Sequence, residues 1–213
     1  MTTIESKTKV NATQETRTVG LREVLRRPHY RVGTGIDDHR IETPEDAIKN
    51  ERKVKPVILS GKLITNSYSI DANSDGDVVY HAVMNALLQA DGKRDIGYYF
   101  PDKKGGEWTD KNSDVMVRMV MDMIKQDGYR VNNAGVMITC NKIIRLNAHI
   151  EDMRVNLADL LEVRDLSCIA IGATSGENLT EVARGKGISA LSTAMLIREQ
   201  RKWFYDMFSA LRN

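Results

Sequence analysis

The sequence predicts an α+β fold, a single domain with helices packed on one face of a mixed sheet. Three observations carry that reading. Short apolar runs bounded by Gly or Pro alternate with longer segments of helical period. At 213 residues and 41% hydrophobic content, the chain is long enough for one substantial core. It contains no apolar run of transmembrane length, and Met1-Thr2-Thr3-Ile4-Glu5-Ser6 does not read as a secretory leader. The cytoplasm is the expected compartment, with organelle targeting by the N-terminal arm left open. A formal net charge of only +2 argues against nucleic-acid and membrane partners. Cys140 and Cys168 sit in apolar strand-like contexts without ligand spacing, so buried free thiols are expected.

Residues 1–32 hold seven Lys/Arg against three Glu, leaving 24 against 26 for the remainder. Residues 1–29 therefore read as a basic, disordered arm, with one helical turn over Leu21 to Arg27 before Pro28. Tyr30 to Ile36 reads as a strand whose Gly33 and Gly35 lead to Asp37 and His39. Glu42 to Lys55 is a charged surface segment, a loop or short helix between Pro44 and Pro56. Val57-Ile58-Leu59 and Lys62-Leu63-Ile64 flank Ser60-Gly61 as a hairpin. Ser74 followed by Asp77 forms a capping-box pattern for a helix from Asp75 to about Ala90, with His81 on its second turn. After a polar loop over Gly105 to Asn112, Ser113 caps a second helix. Its core face would be Val115, Met116, Met119, Val120, Met123 and Ile124, and Gly128 ends it. Val131 to Cys140 and Cys168 to Ala173 read as strands, and Ala148 to Leu161 as a helix capped by Asn147. Ile188 to about Met207 reads as a long last helix. Its continuation into Trp203-Phe204-Tyr205-Asp206-Met207-Phe208 brings an aromatic cluster that must cover a surface.

Asp37 and His39 are spaced so that an extended segment projects both to one face. His81 lies close to a helix N-terminus, where unpaired N–H groups and the helix dipole favour anions. Together they offer two imidazoles and a carboxylate with a coordination position left open, the donor set of a catalytic divalent-metal site. The spacing equally allows three unconnected residues and a hydrogen-bonded helix histidine, since no HxxxH or CxxC is present.

Three blocks, Gly33-Thr34-Gly35-Ile36-Asp37-Asp38-His39, Ser74-Asp75-Gly76-Asp77-Val78-Val79-Tyr80-His81-Ala82 and Asp95-Ile96-Gly97-Tyr98-Tyr99-Phe100-Pro101-Asp102, resemble in order and spacing the 2-C-methyl-D-erythritol 2,4-cyclodiphosphate synthase family. His149-Ile150-Glu151-Asp152-Met153-Arg154, Ala173-Thr174-Ser175-Gly176-Glu177 and Arg184-Gly185-Lys186-Gly187-Ile188 agree with it. The resemblance divides the chain into residues 1–29 as an added arm, 30–198 as the family domain and 199–213 as a C-terminal helix extension. It implies a homotrimer with active sites shared between subunits and a small nucleotide-linked substrate, which is cyclised with release of CMP. Asp37, His39 and His81 would hold a zinc-type ion, and Glu177 a second ion, magnesium or manganese. Ser175 and Asn73 occupy positions at the reacting phosphates. Ser74, Asp95, Ile96, Gly97, Asp102, Thr139, Lys142, Arg145, Thr174 and Arg184 occupy substrate-contacting ones.

The sequence departs from the family at several of these places. Asn73 stands for a histidine, Asn85 for an aspartate, Asn178 for a lysine and Lys186 for a glutamate. Glu181 replaces a cavity-lining aromatic residue, and Asn141 to Arg145 carries one extra residue where cytosine binds. Arg184 and Lys186 together would make the central cavity of a trimer cationic. Three readings are therefore open on the sequence: a synthase with a divergent pocket, a paralogous metal-dependent enzyme acting on another nucleotide diphosphate, and a non-catalytic trimer that binds an anion.

Overall fold

The computed structural model describes residues 28–101 and 105–199. The N-terminal arm up to residue 27, the turn expected before Pro28, the aromatic extension and Asp102 lie outside the described residues, while Pro28 and His29 accept hydrogen bonds from Tyr129 and Arg198. Seven strands form within them: β1 (Tyr30–Glu42), β2 (Val57–Leu59), β3 (Lys62–Thr65), β4 (Ser69–Asp71), β5 (Tyr129–Thr139), β6 (Ile169–Thr174) and β7 (Gly187–Arg198). The helices are α1 (Pro44–Lys49), α2 (Val78–Ala90), α3 (Ile96–Tyr99), α4 (Ser113–Gln126) and α5 (Ile150–Leu160). Five strands make one mixed sheet in the order β4-β1-β7-β5-β6, in which only β5 and β6 run parallel; β2 and β3 form a separate hairpin. The α+β class expected from the sequence holds. Among the described residues no helix is long and apolar enough to cross a membrane.

The helices cover one face of the sheet: α2 packs on β1 and β7, α4 on β5, and α5 on β6. The close fit of α2 depends on missing atoms. A Cβ at Gly33 would stand 2.1 Å from the Ala86 carbonyl oxygen, and one at Gly35 2.1 Å from that of Ala82, so only a bare backbone lets the helix lie this near. Met84, Leu87 and Leu88 on α2 are fully buried, each worth about 1.5–3 kcal/mol of apolar transfer. On the other face Ile36, Leu191 and Met137 stand side by side across β1, β7 and β5, and they stay exposed with Val32.

The long helix expected from Ile188 is the main correction. Residues 187–198 form β7, paired with β1 on one side and β5 on the other. Ile188, Ala190, Ser192, Ala194 and Leu196 are buried beneath the helices, while the alternate positions carry Leu191, Met195 and Ile197. With apolar residues on both faces, the period-2 signal disappears from the sequence. β1 likewise runs beyond the expected Ile36 to Glu42, and β4 was not anticipated.

The hairpin at Ser60-Gly61 is present, and both residues take left-handed backbone (φ 50 and 69) as a type I′ turn requires. Its turn is tied to α2 by Asp77. The buried carboxylate accepts N–H bonds from Ser60 (2.9 Å), Gly61 (2.8 Å), Val79 (3.1 Å) and Tyr80 (3.1 Å). Asp77, and not Ser74, is thus the N-cap of α2, which puts His81 within the first turn. Burial raises the Asp77 pKa to about 6, against the pull of those donors. Two other helix starts also differ from the expected caps. Ser113 is the first residue of α4 and not its cap, and α5 begins after a 3₁₀ turn at Leu146–Ala148, so Asn147 caps nothing. On α4, Met116, Val120 and Ile124 are core as expected, Met119 and Met123 pack partly against it, and Val115 is exposed. Both cysteines are free, Cys140 buried and Cys168 only partly so.

Candidate functional site

β1 carries Asp37 and His39 on its helix-covered face, opposite Ala190 and Ile188 of β7, and α2 brings His81 over them. Asp37 Oδ2 lies 3.0 Å from His81 Nδ1 and 3.2 Å from His39 Nε2, and the two imidazole rings stand 5.6 Å apart. The three donor atoms all fall within 4.8 Å of one another, and they are the one such His/Cys/Asp/Glu group among the described residues. Burial alone would raise the Asp37 pKa, but the contacts with His39 and His81 hold it well below the usual carboxylate range. Burial would depress His81, and the hydrogen bond and charge of Asp37 raise it instead. His39 Nε2 is buried, and its approach to Asp37 lacks hydrogen-bond geometry, so it has no hydrogen-bond partner. A divalent ion fits this donor set. Ligand bonds of about 2.0–2.1 Å in a tetrahedron put donors about 3.3 Å apart, close to the spacings found here, and a cation would satisfy the orphaned nitrogen.

Behind His81 lies a hydroxyl shell that the sequence reading missed. His81 Nε2 is 2.9 Å from Ser113 Oγ and 3.3 Å from Ser74 Oγ. Ser74, expected at the substrate, is 9% exposed and accepts the Gly76 N–H at 3.2 Å. Asn73 is anchored through its main chain, because Lys55 Nζ donates to the carbonyls of Ala72 (2.7 Å), Asn73 (3.1 Å) and Ser74 (2.7 Å). Lys55 gave no signal in the sequence beyond its place before Pro56. Asn85 donates to the Ile36 carbonyl at 3.3 Å and accepts the Ile96 N–H at 3.0 Å. That joins β1 to Asp95-Ile96-Gly97, and only a side chain with both a donor and an acceptor can do so. Asp95 caps α3 through Tyr98 N–H at 3.0 Å.

Thr139, Lys142, Arg145, Thr174, Ser175 and Glu177 gather at the same end of the sheet, on the far side of β7. Thr139 and Thr174 are paired at the ends of β5 and β6. A cleft of about 500 Å³ opens beyond them, lined by Lys142, Arg145, Thr174 and Ser175 among others. Glu177 accepts from Ser175 Oγ at 2.7 Å and pairs with Lys142 at 3.5 Å; the Ser175 bond leads these contacts in lowering its pKa. Glu177 is therefore apart from the triad. β7 separates β1 from β5, which puts their axes roughly 10 Å apart. Arg184 and Lys186 both pair with Glu181, at 2.6 and 2.9 Å, so the cationic patch expected from them is partly neutralised.

Comparison with known proteins gives one family. The model of the YgbB family matches residues 30–197. A relative from Synechocystis sp. named 2-C-methyl-D-erythritol 2,4-cyclodiphosphate synthase is 37% identical over 169 residues, covering 79% of this chain and 97% of its own. One of the same name from Acinetobacter baumannii is 37% identical over 166 residues, covering 78% and 96%. Among solved structures, a 2C-methyl-D-erythritol-2,4-cyclodiphosphate synthase in a form bound to CDP superposes with a TM-score of 0.66 at 28% identity, covering 78% of this chain and 99% of that one.

Proposed function

The chain belongs to the YgbB family, and from that premise we propose that it cyclises 4-diphosphocytidyl-2-C-methyl-D-erythritol 2-phosphate to the 2,4-cyclodiphosphate and releases CMP. The 2-phosphate oxygen forms a bond to the β-phosphorus, and the bond from that phosphorus to the α-phosphate oxygen breaks with its electron pair, leaving as CMP. No water or redox partner is consumed, and the nucleophile is already an anion, so positioning and charge neutralisation carry the reaction.

The observation that carries this reading is the triad with its orphaned His39 nitrogen, at the head of a sheet matched throughout by the family. Asp37, His39 and His81 would hold a zinc-type ion, and Glu177 a magnesium or manganese. When bound, such ions supply Lewis-acid charge for the diphosphate oxygens. The chain's own groups do the rest. Thr174 and Ser175 offer hydroxyls, Lys142 and Arg145 offer cations beside the cleft, and Thr139 stands next to Thr174 at the ends of β5 and β6. Asp95, Ile96 and Gly97, fixed by Asn85, would meet the sugar and diphosphate together with Asp102. Ser74 serves from behind His81, and Asn73 offers an uncharged amide to the phosphates. Arg184 would face an anionic group.

Two features support a homotrimer with shared sites. The row Ile36, Leu191 and Met137 leaves an apolar sheet face that the described residues do not cover, and the triad and the Glu177 cluster stand apart within one chain. Incubation with the cytidylylated substrate, zinc and magnesium should yield CMP and a cyclic diphosphate by phosphorus NMR. Metal-loaded protein that releases no CMP would sink the assignment.

A further inference from the structure

We propose that Asp75 and Ser113 are positioning residues for the metal site, forming a carboxylate–hydroxyl–imidazole relay that fixes the tautomer of His81. The proposal rests on the metal site proposed above.

Ser113 is fully buried, and its hydroxyl has one hydrogen to give. Asp75 Oδ1 stands 2.5 Å from Ser113 Oγ, and Asp75 Oδ2 takes the Ser113 N–H at 2.8 Å. A carboxylate offers only lone pairs, so the hydroxyl hydrogen must lie on the Asp75 side; the reverse would set two lone pairs against each other at that distance. Two helix ends hold the carboxylate in place. Asp75 supplies the partner for an N–H in the first turn of α4, whose N-cap Asn112 makes no capping bond with its side chain, and it also accepts the Asp77 N–H at 3.3 Å ahead of α2.

With its hydrogen committed, Ser113 Oγ can only accept from His81 Nε2, 2.9 Å away. In the neutral ring Nε2 must then carry the proton, and Nδ1, which shares a proton with Asp37 at 3.0 Å in the ion-free site, would turn its lone pair to the ion. Ser74 Oγ at 3.3 Å is a second, longer acceptor on the same edge of the ring. A metal-binding histidine needs its far nitrogen held as a donor, and such supports are typically worth about 10- to 100-fold in metal affinity. Here the support reaches His81 from the start of α4 and from the loop just ahead of α2.

The test uses the full-length protein loaded with zinc. ¹⁵N NMR of the imidazoles should show His81 protonated at Nε2 and zinc-ligated at Nδ1. Ser113→Ala and Asp75→Asn should each weaken zinc binding about 10- to 100-fold in chelator competition. The double variant should be no weaker than the weaker single one, because both substitutions cut the same chain. A bare Nε2, unchanged affinity in folded Ser113→Ala, or full additivity would each overturn the relay while leaving the metal site standing. If Ser113→Ala fails to fold, the wild-type NMR still decides. Wild-type protein that takes up no zinc overturns both the relay and the metal reading beneath it.

Discussion

The two halves of the site are built differently. Asp37, His39 and His81 sit inside a long strand and the first turn of a buried helix, and the Asp37–His81 contact spans 44 residues of chain. Glu177 is 75% exposed, its backbone is left-handed at φ 47, and its Ser175 contact reaches only two residues along the chain. The first half is preorganised by the same packing that makes the core. The second is held by local, solvent-screened pairs, so ordering it on a ligand costs side-chain entropy that the triad has already lost in folding.

Four experiments would break or sharpen that contrast. The largest effect belongs to His81→Ala. It should lose the ion by elemental analysis and slow CMP release more than about a thousandfold, since several kcal/mol of charge stabilisation depends on it. Next is Glu177→Gln, expected to slow CMP release about a hundredfold while the melting temperature stays at the wild-type value, because an exposed pair adds little to stability. A large loss of stability there would mean that the exposed cluster is part of the core after all. Third, Asn73→His should raise turnover about tenfold at constant metal content by restoring a chargeable donor beside the phosphates; equal rates would show that the neutral amide already suffices.

The smallest effect is on pH. In chelator-treated protein, His81 has a pKa above its ordinary 6.5, so its stabilising pairing is full below that value and fades as pH rises through the higher folded one. Asp37 has a pKa below its ordinary 3.8, so its contribution is present above that value and lost as pH falls further. The melting temperature of metal-free protein should therefore decline by a few °C at most on going alkaline from about pH 6.5. The zinc-loaded protein should not follow, because the ion requires the neutral imidazole.

The same contrast explains what was legible beforehand. Asp37 and His39 could be paired from an alternation of two, and His81 placed near a helix start, because regular elements convert spacing into direction. Resemblance then joined segments that spacing alone left unconnected. Ser113 looked like a helix cap because serine at a helix start ordinarily is one, and nothing in one dimension says that Asp75 takes its hydroxyl. The long last helix failed for the reason that made β7 central: a strand with Ile188 and Leu196 on one side and Leu191 and Ile197 on the other shows no alternation. The bonds made by Asn85 and Lys55 run to main-chain atoms of distant segments, and local sequence carries no mark of them.

Gly33 and Gly35 set a tolerance for the whole centre. Because the α2 carbonyls sit where side chains on β1 would be, the gap between the strand that brings Asp37 and the helix that brings His81 is gauged by two missing methyl groups. An alanine at Gly35 would touch no donor atom, yet it would wedge the two halves of the triad apart. Positions with no chemistry of their own thereby become as exacting as Asp37, His39 and His81 themselves.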